Sequence, residues 1–260
     1  MADQSQGMAP NYIWNGLYST WDEACEAAKA VGAGGLSSER WLQRITQQLS
    51  DYRDELRQYG IAMPPRPSNL PLVCAMTNPS TIVDFGGSSG WNWDYLQNSL
   101  AQHRILSYII VETEQVANHM THEKMGIHKT PVSFQTLKDH LGPCDLLYYN
   151  SVLQYFESNA PLLSLIERST PQFILLEDLV AKGEDDFFSM QTYHGTAIPY
   201  RFLGLRKLLK MLSCSGYTEL VRYPYASPIF GVIKPFEMSN FPEAEQLHYS
   251  SSILLKKFER

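Results

Sequence analysis

The run Asp84-Phe85-Gly86-Gly87-Ser88-Ser89-Gly90 is small and flexible, and it lies between an apolar stretch, "TIVDF", and a ring-rich one, "WNWDY". Small residues placed after a strand let a ligand approach backbone N–H groups closely. Two nucleotide-binding patterns compete for it. A dinucleotide turn needs a third glycine where helix packs against strand. Counted from Gly86, that place holds Trp91, whose indole prevents close packing. The tighter pattern is G-x-G-x-G with an acid two residues before the first glycine. It reads as Gly86-x-Ser88-x-Gly90 with Asp84 in place, and Ser88 stands where the pattern has glycine. This arrangement suits S-adenosylmethionine (SAM). Its N–H groups, with Gly87 between them, would meet an amino-acid carboxylate, and the acid would orient the loop or its water. An ordinary strand-to-helix turn is the plainer alternative.

A second acid supports the ligand reading. Glu112 closes the apolar run "YIIVE", about twenty residues beyond Gly90, the spacing of the ribose-binding acid in nucleotide folds. Such a carboxylate can accept both ribose hydroxyls; a solvated strand end is the other reading. Rings gather at the same kinds of position. Trp91, Trp93 and Tyr95 follow the turn, Tyr148, Tyr149, Tyr155 and Phe156 flank "NSVLQ", and Tyr193 and Tyr200 lie further on. Singly they read as core packing. Together they suit a sulfonium, which a ring within about 6 Å stabilises by roughly 0.5–2 kcal/mol.

Displacement at a sulfonium admits two outcomes. Methyl transfer needs an in-line acceptor and often a base, for which His194, Glu177 and Asp178 are candidates. Intramolecular cyclisation needs the substrate's own amine, held by groups such as Asn150, Ser151 or Tyr149. His119, His122, Glu123 and His128 cluster but lack a metal-site spacing such as HExxH, so no metal is expected.

These residues need a scaffold. Compact apolar runs "TIVDF", "YIIVE", "CDLLYYN" and "QFILLED" alternate with helix-like stretches such as "WDYLQNSLAQH" and "APLLSLIERS". Alternation of this kind predicts a parallel sheet with helices on both faces. "RFLGLRKLLKMLSCSGY" reads as a helix closed by Gly216, and "TELVRYPY" and "SSILLKKF" as two last strands, which permits a reversed terminal hairpin. Upstream, "STWDEACEAAKAV" carries a Thr20–Glu23 capping box, and Trp41, Ile45 and Leu49 recur at helical spacing. "GIAMPPRPSN" is a loop and "LPLVCAM" a short buried helix. The expected organisation is a disordered segment 1–13, a helical cap 14–78 and a SAM-binding catalytic domain 79–260.

The chain has 260 residues, 44% apolar, enough for one sizeable core. Its formal net charge is −6, and no basic run offers a phosphate-backbone footprint, so nucleic acid is not expected as a partner. The N-terminus shows no signal-peptide pattern and no apolar stretch approaches a membrane span, so a cytoplasmic protein without a membrane partner is expected. Cys25, Cys74, Cys144 and Cys214 lie far apart and read as reduced thiols. The sequence does not set the oligomeric state.

Four segments carry a resemblance to a known family: "GLYSTWDEA" (16–24), "DFGGSSG" (84–90), "IVE" (110–112) and "NSVLQY" (150–155). With them the chain resembles a bacterial family of uncharacterised SAM-dependent methyltransferases, from residue 14 to roughly the end. The resemblance implies an α/β, Rossmann-like class I methyltransferase fold: a mostly parallel seven-stranded sheet with helices on both faces and an N-terminal helical cap. It also implies SAM at the C-terminal strand ends and a small-molecule substrate, in the setting of natural-product metabolism. Two departures matter. The family usually has Ser where Asn150 stands. It also has a "DRTPF"-like segment where this chain has "LEDLVAKGEDDFFSMQTYHG". A related branch cyclises SAM to azetidine-2-carboxylate and releases methylthioadenosine. Methyl transfer leads, SAM cyclisation follows, and a module that binds SAM without turnover is the third expectation.

Overall fold

The computed structural model describes residues 12–32, 35, 38–100, 105–120, 132–193, 196–225, 228–229, 232–233 and 235–258. The central sheet has seven strands: β2 (Thr81–Phe85), β3 (Ser107–Val111), β4 (Val132–Gln135), β5 (Leu146–Asn150), β6 (Phe173–Leu179), β9 (Tyr217–Tyr225) and β12 (Ser250–Lys257). They lie in the order β4-β3-β2-β5-β6-β12-β9. The first five run parallel, and β12 is antiparallel to both β6 and β9. This order, with its single reversed strand beside the edge, is the Rossmann-like class I methyltransferase fold. Buried on both faces, the inner strands read as near-continuous apolar runs, as in "FILLEDL" of β6.

Alternation along each strand divides the core. One face carries Ile82, Tyr108, Ile110, Leu146, Tyr148 and Leu175, covered by helices α2 (Glu39–Tyr59), α3 (Leu70–Thr77), α4 (Trp91–Ser99) and α5 (Glu114–His119). The other carries Val83, Phe85, Leu147, Tyr149, Ile174 and Leu176, covered by α6 (Ala160–Ser169) and α7 (Leu205–Cys214). Helix α2 is set by its ends and its stripe. Ser38 accepts from the Trp41 N–H at its start, Gly60 closes it in the left-handed region, and Leu42, Ile45, Leu49 and Tyr52 are buried.

The 14–78 segment is not one helical cap. Trp14–Tyr18 forms strand β1, which pairs antiparallel with β7 (Phe187–Tyr193), itself paired with β8 (Thr196–Phe202). Helix α1 (Trp21–Gly32) packs on this small sheet: Ala28 meets Met190 and Ala197. Helices α2 and α3 instead share the main core. A separate three-stranded sheet thus stands beside the helices of this segment, because β1 completes a hairpin inserted after β6. The expected helix from Arg201 is also shorter, since Arg201 and Phe202 end β8 and Gly204 precedes the first turn of α7. A side chain at Gly204 would meet the Glu184 carbonyl at 2.2 Å, so the chain turns there. The remaining short elements are β10 (Pro228–Ile229), β11 (Val232–Ile233) and two 3-10 turns, Leu153–Tyr155 and Glu243–Glu245. No described helix is long and apolar enough to cross a membrane.

Candidate active site

Asp84 lies one residue before the end of β2 and is 1% exposed. Its Oδ2 accepts from Tyr108 Oη at 2.7 Å and from Asn92 Nδ2 at 2.9 Å. Burial pushes the carboxyl up to about 6, against the downward pull of those two bonds. Gly87 packs onto it: a Cβ there would come within 2.5 Å of Asp84 Oδ2. Gly86 faces a second wall, where a Cβ would meet Val152 Cγ2 at 2.6 Å, and its φ is +72°. Ser88 adopts the left-handed conformation itself, with φ 57°. Serine therefore holds the shape that glycine gives in the usual pattern, at some conformational cost. Gly90, φ 79°, caps α4.

Glu112 follows β3 immediately and is half-buried. Its Oε1 accepts from the Ser88 N–H at 2.9 Å and its Oε2 from the Thr113 N–H at 3.0 Å. Burial raises its pKa, and these two N–H bonds pull it back. One carboxylate thus braces the glycine turn and retains lone pairs for further donors. The Gly86, Ser88 and Gly90 N–H groups all have acceptors. Those of Gly87 and Ser89 meet no protein acceptor among the described residues.

A second polar group gathers where β5 and β6 end. Tyr148 Oη receives Asn150 Nδ2 at 2.9 Å and shares a hydrogen bond of 2.9 Å with Glu177 Oε2. Ser68 Oγ lies 2.8 Å from Tyr148 Oη and 2.7 Å from Glu177 Oε2. Glu177 Oε1 accepts from Asn69 N at 2.8 Å and Asn69 Nδ2 at 3.0 Å. Tyr225 Oη donates to the Pro67 carbonyl, which Asn150 Nδ2 also approaches at 3.4 Å. The proline-rich segment before α3 is thereby fastened across the strand ends. Asp178, φ 49°, accepts from Ser250 Oγ at 2.6 Å and pairs with Arg66 at 3.5 Å.

The sequence-derived residues fall into distinct places. Asp84, Gly86, Gly87, Ser88, Gly90 and Glu112 form one turn. Asp84, Tyr148, Asn150 and Glu177 share a sheet face, since Asp84 is the register partner of Tyr148 and Asn150 that of Glu177. Ser151, φ 56°, turns the chain after β5, and its Oγ accepts from Gln154 Nε2 at 3.0 Å. Tyr149 points to the opposite face, where its ring sits 4.9 Å from Phe85, away from Asn150. Trp91 is packed in the core beside Trp93 and Leu96. Tyr193 ends β7, in the inserted hairpin. His194 lies outside the described residues, as do His122, Glu123 and His128. His119 Nε2 lies 2.9 Å from Thr46 Oγ1, and the described residues contain no cluster of three metal-ligating side chains.

Sequence reasoning missed Asn92, Tyr108, Ser68, Asn69 and Val152. A tyrosine inside the apolar run "YIIV" was the one signal for Tyr108. Asn69 occupies the N-cap of α3 yet makes no cap bond with its side chain, which turns to Glu177 instead.

Among the described residues, three buried polar atoms here have no protein partner: Ser89 Oγ, Asn92 Oδ1 and Asn150 Oδ1. Each is a group that a bound molecule would satisfy.

No protein-family model matches the chain. No curated protein matches it either. Solved structures do. A protein from Listeria monocytogenes described as a SAM-dependent methyltransferase is 11% identical, with 69% of this chain and 92% of that one covered and a TM-score of 0.48. A SAM-dependent methyltransferase from Mesorhizobium loti is 13% identical over 73% and 97%, with a TM-score of 0.47. An O-methyltransferase from Bacillus cereus, in complex with S-adenosylhomocysteine, is 12% identical over 92% and 100%, with a TM-score of 0.46.

Proposed function

We propose that the chain is a SAM-dependent enzyme acting on a small molecule, with methyl transfer as its reaction. The observation that carries this reading is the turn after β2. There Asp84 lies beneath Gly87, Glu112 braces Ser88, and the Gly87 and Ser89 N–H groups are left for a ligand. Oriented N–H groups suit a carboxylate, and the spare lone pairs of Glu112 suit a pair of ribose hydroxyls. When bound, SAM supplies an electrophilic carbon beside a positively charged sulfur.

The chain's own part is to orient and to desolvate. The β5 end would face the reacting region with Asn150, whose Oδ1 accepts nothing from the described residues. That acceptor suits a donor group on the substrate, an amine or a hydroxyl, held for in-line attack. Tyr149 and Trp91, packed in the core, would support the rim from beneath.

The unpartnered Asn150 Oδ1 also favours a second reading, cyclisation of SAM. In it the substrate's amine, held by Asn150 and freed of its proton, attacks Cγ. The C–S bond breaks, and methylthioadenosine leaves with the electron pair. Incubation of the purified protein with SAM alone, followed by mass spectrometry, separates the readings. S-adenosylhomocysteine formed only with an added acceptor supports methyl transfer. Methylthioadenosine with an azetidine amino acid supports cyclisation. Binding without consumption under either condition would leave a non-catalytic SAM-binding module.

A further inference from the structure

The contacts of Glu177 hold a proton count that the reaction scheme does not use. Ser68 Oγ, Tyr148 Oη and Glu177 Oε2 form a closed triangle with sides of 2.7, 2.8 and 2.9 Å. Each side is short enough to need a hydrogen between its two oxygens. Ser68 and Tyr148 bring one hydrogen each. With an ionised Glu177, one side would set two bare oxygens against each other. A carboxylic acid supplies the third hydrogen, and the ring then closes in either sense. Glu177 Oε1 cannot serve as the protonated oxygen, because it already accepts from Asn69 N and Asn69 Nδ2.

The closed ring has a consequence for Asn150. In either sense Tyr148 Oη spends its hydrogen within the ring, so it can only accept from outside. The Asn150 amide must therefore turn its Nδ2 to Tyr148, as it does at 2.9 Å, and leave Oδ1 unpartnered. We propose that Glu177 is held as a neutral carboxylic acid and acts, through Tyr148, as a positioning residue that fixes the orientation of the Asn150 amide. Its role in turnover rests on the functional reading above; its protonation and the amide orientation do not.

The surroundings agree. All the hydrogen-bond partners of Glu177 are neutral groups: Ser68, Tyr148 and the Asn69 main and side chains. The titratable groups facing it are Tyr148 from β5 and Tyr223 and Tyr225 from β9, with the Arg66–Asp178 pair one residue further along. Burial raises the carboxyl above its ordinary range, and its four hydrogen bonds oppose that only in part.

Carboxyl-carbon NMR of the full chain, labelled at the glutamate side-chain carboxyl, tests the proton directly. One resonance should sit at the protonated-acid position at pH 7 and vanish in Glu177→Gln. If every glutamate in the spectrum is ionised at pH 7, the proposal is overturned. Side-chain amide NMR tests the orientation. The Asn150 Nδ2 hydrogens should be protected from exchange in the wild type, and that protection should be lost in Tyr148→Phe, a variant that keeps the ring in the core. Unchanged protection there would likewise overturn it. With a turning-over enzyme, Glu177→Gln should stay within about threefold of wild-type KM and Glu177→Ala should raise it tenfold or more. Equal damage from both would mean that a charge, not a neutral donor, is needed. Absence of any turnover would count against the functional reading, while both NMR results would still decide this one.

Discussion

Asn150 and Glu177 are register partners across the parallel β5–β6 pair, and each is followed by a residue in the left-handed region, Ser151 with φ 56° and Asp178 with φ 49°. Where β5 ends, β6 thus takes a left-handed residue at the same level and runs on to Leu179. Left-handed conformations at non-glycine residues are costly and persist where the surroundings enforce them. Here each follows a polar side chain directed to the face of Asp84. The rim at this point is thus built from backbone geometry as much as from side-chain identity.

Asp84 makes stability depend on pH in a defined direction. Its folded carboxyl holds its proton up to about 6, against an ordinary value of 3.8. Its contribution is fully present below the unfolded value and is lost as pH rises through the folded one. Two units correspond to about 3 kcal/mol. Asp84→Asn keeps an acceptor for Tyr108 and removes the titration. Denaturant unfolding at pH 4.5 and pH 7.5 should show the wild type losing more stability with rising pH than the variant does. Parallel pH dependence in the two proteins would remove Asp84 from this role.

Gly87 is required by contact and not by its backbone angle. Gly87→Ala sets a Cβ 2.5 Å from the buried Asp84 carboxylate. Relief needs a shift of the turn or of β2, at a cost of about 1–3 kcal/mol. Thermal unfolding should report a drop of several degrees, together with weaker SAM binding. A variant as stable as the wild type would show that the turn has more room than its geometry gives it.

Glu112 braces the turn through Ser88, and in the proposed function it takes the ribose hydroxyls. Glu112→Ala should weaken SAM by roughly 2–3 kcal/mol, or about 30- to 150-fold. Glu112→Gln can still accept from the Ser88 N–H, so it should keep the turn's stability while losing part of the affinity. Equal affinity in all three proteins, by calorimetry, would return Glu112 to a purely structural brace.

Helix α2 belongs to the central core. Leu49 is 3% exposed and packs with Leu42, Ile45, Trp91, Trp93 and Tyr108. Leu49→Ala should therefore cost about 2–5 kcal/mol. Removing residues 1–78 should abolish cooperative unfolding, not merely uncover a crevice. A truncated chain that still melts in one sharp transition would contradict this placement.

Six strands of the central sheet were legible, the inner ones because they are buried on both faces and bounded by helix-forming runs; the four-residue edge strand β4, "VSFQ", was not. "TIVDF" and "APLLSLIERS" coincide with β2 and α6 as written. The glycine turn was legible too, because its small residues answer to contacts that only small residues permit. The β1–β7–β8 sheet was not. "FFSMQTY" and "TAIPYRF" mix polar and apolar residues, and β1 pairs with a segment more than 170 residues away. Alternation along β5 sets Tyr149 on one face and Tyr148 with Asn150 on the other, without saying which of them meets Asp84. Asp84 and Tyr148 are register partners, and that pairing decides it. Ser68 and Asn69 come from a loop whose course no local pattern specifies.

Isothermal titration of the purified chain with SAM is the sharpest check that the turn after β2 binds it. Binding should saturate with one site per chain and weaken in Glu112→Ala and in Gly87→Ala. No binding at millimolar SAM, or binding of equal strength in the wild type and both variants, would contradict it.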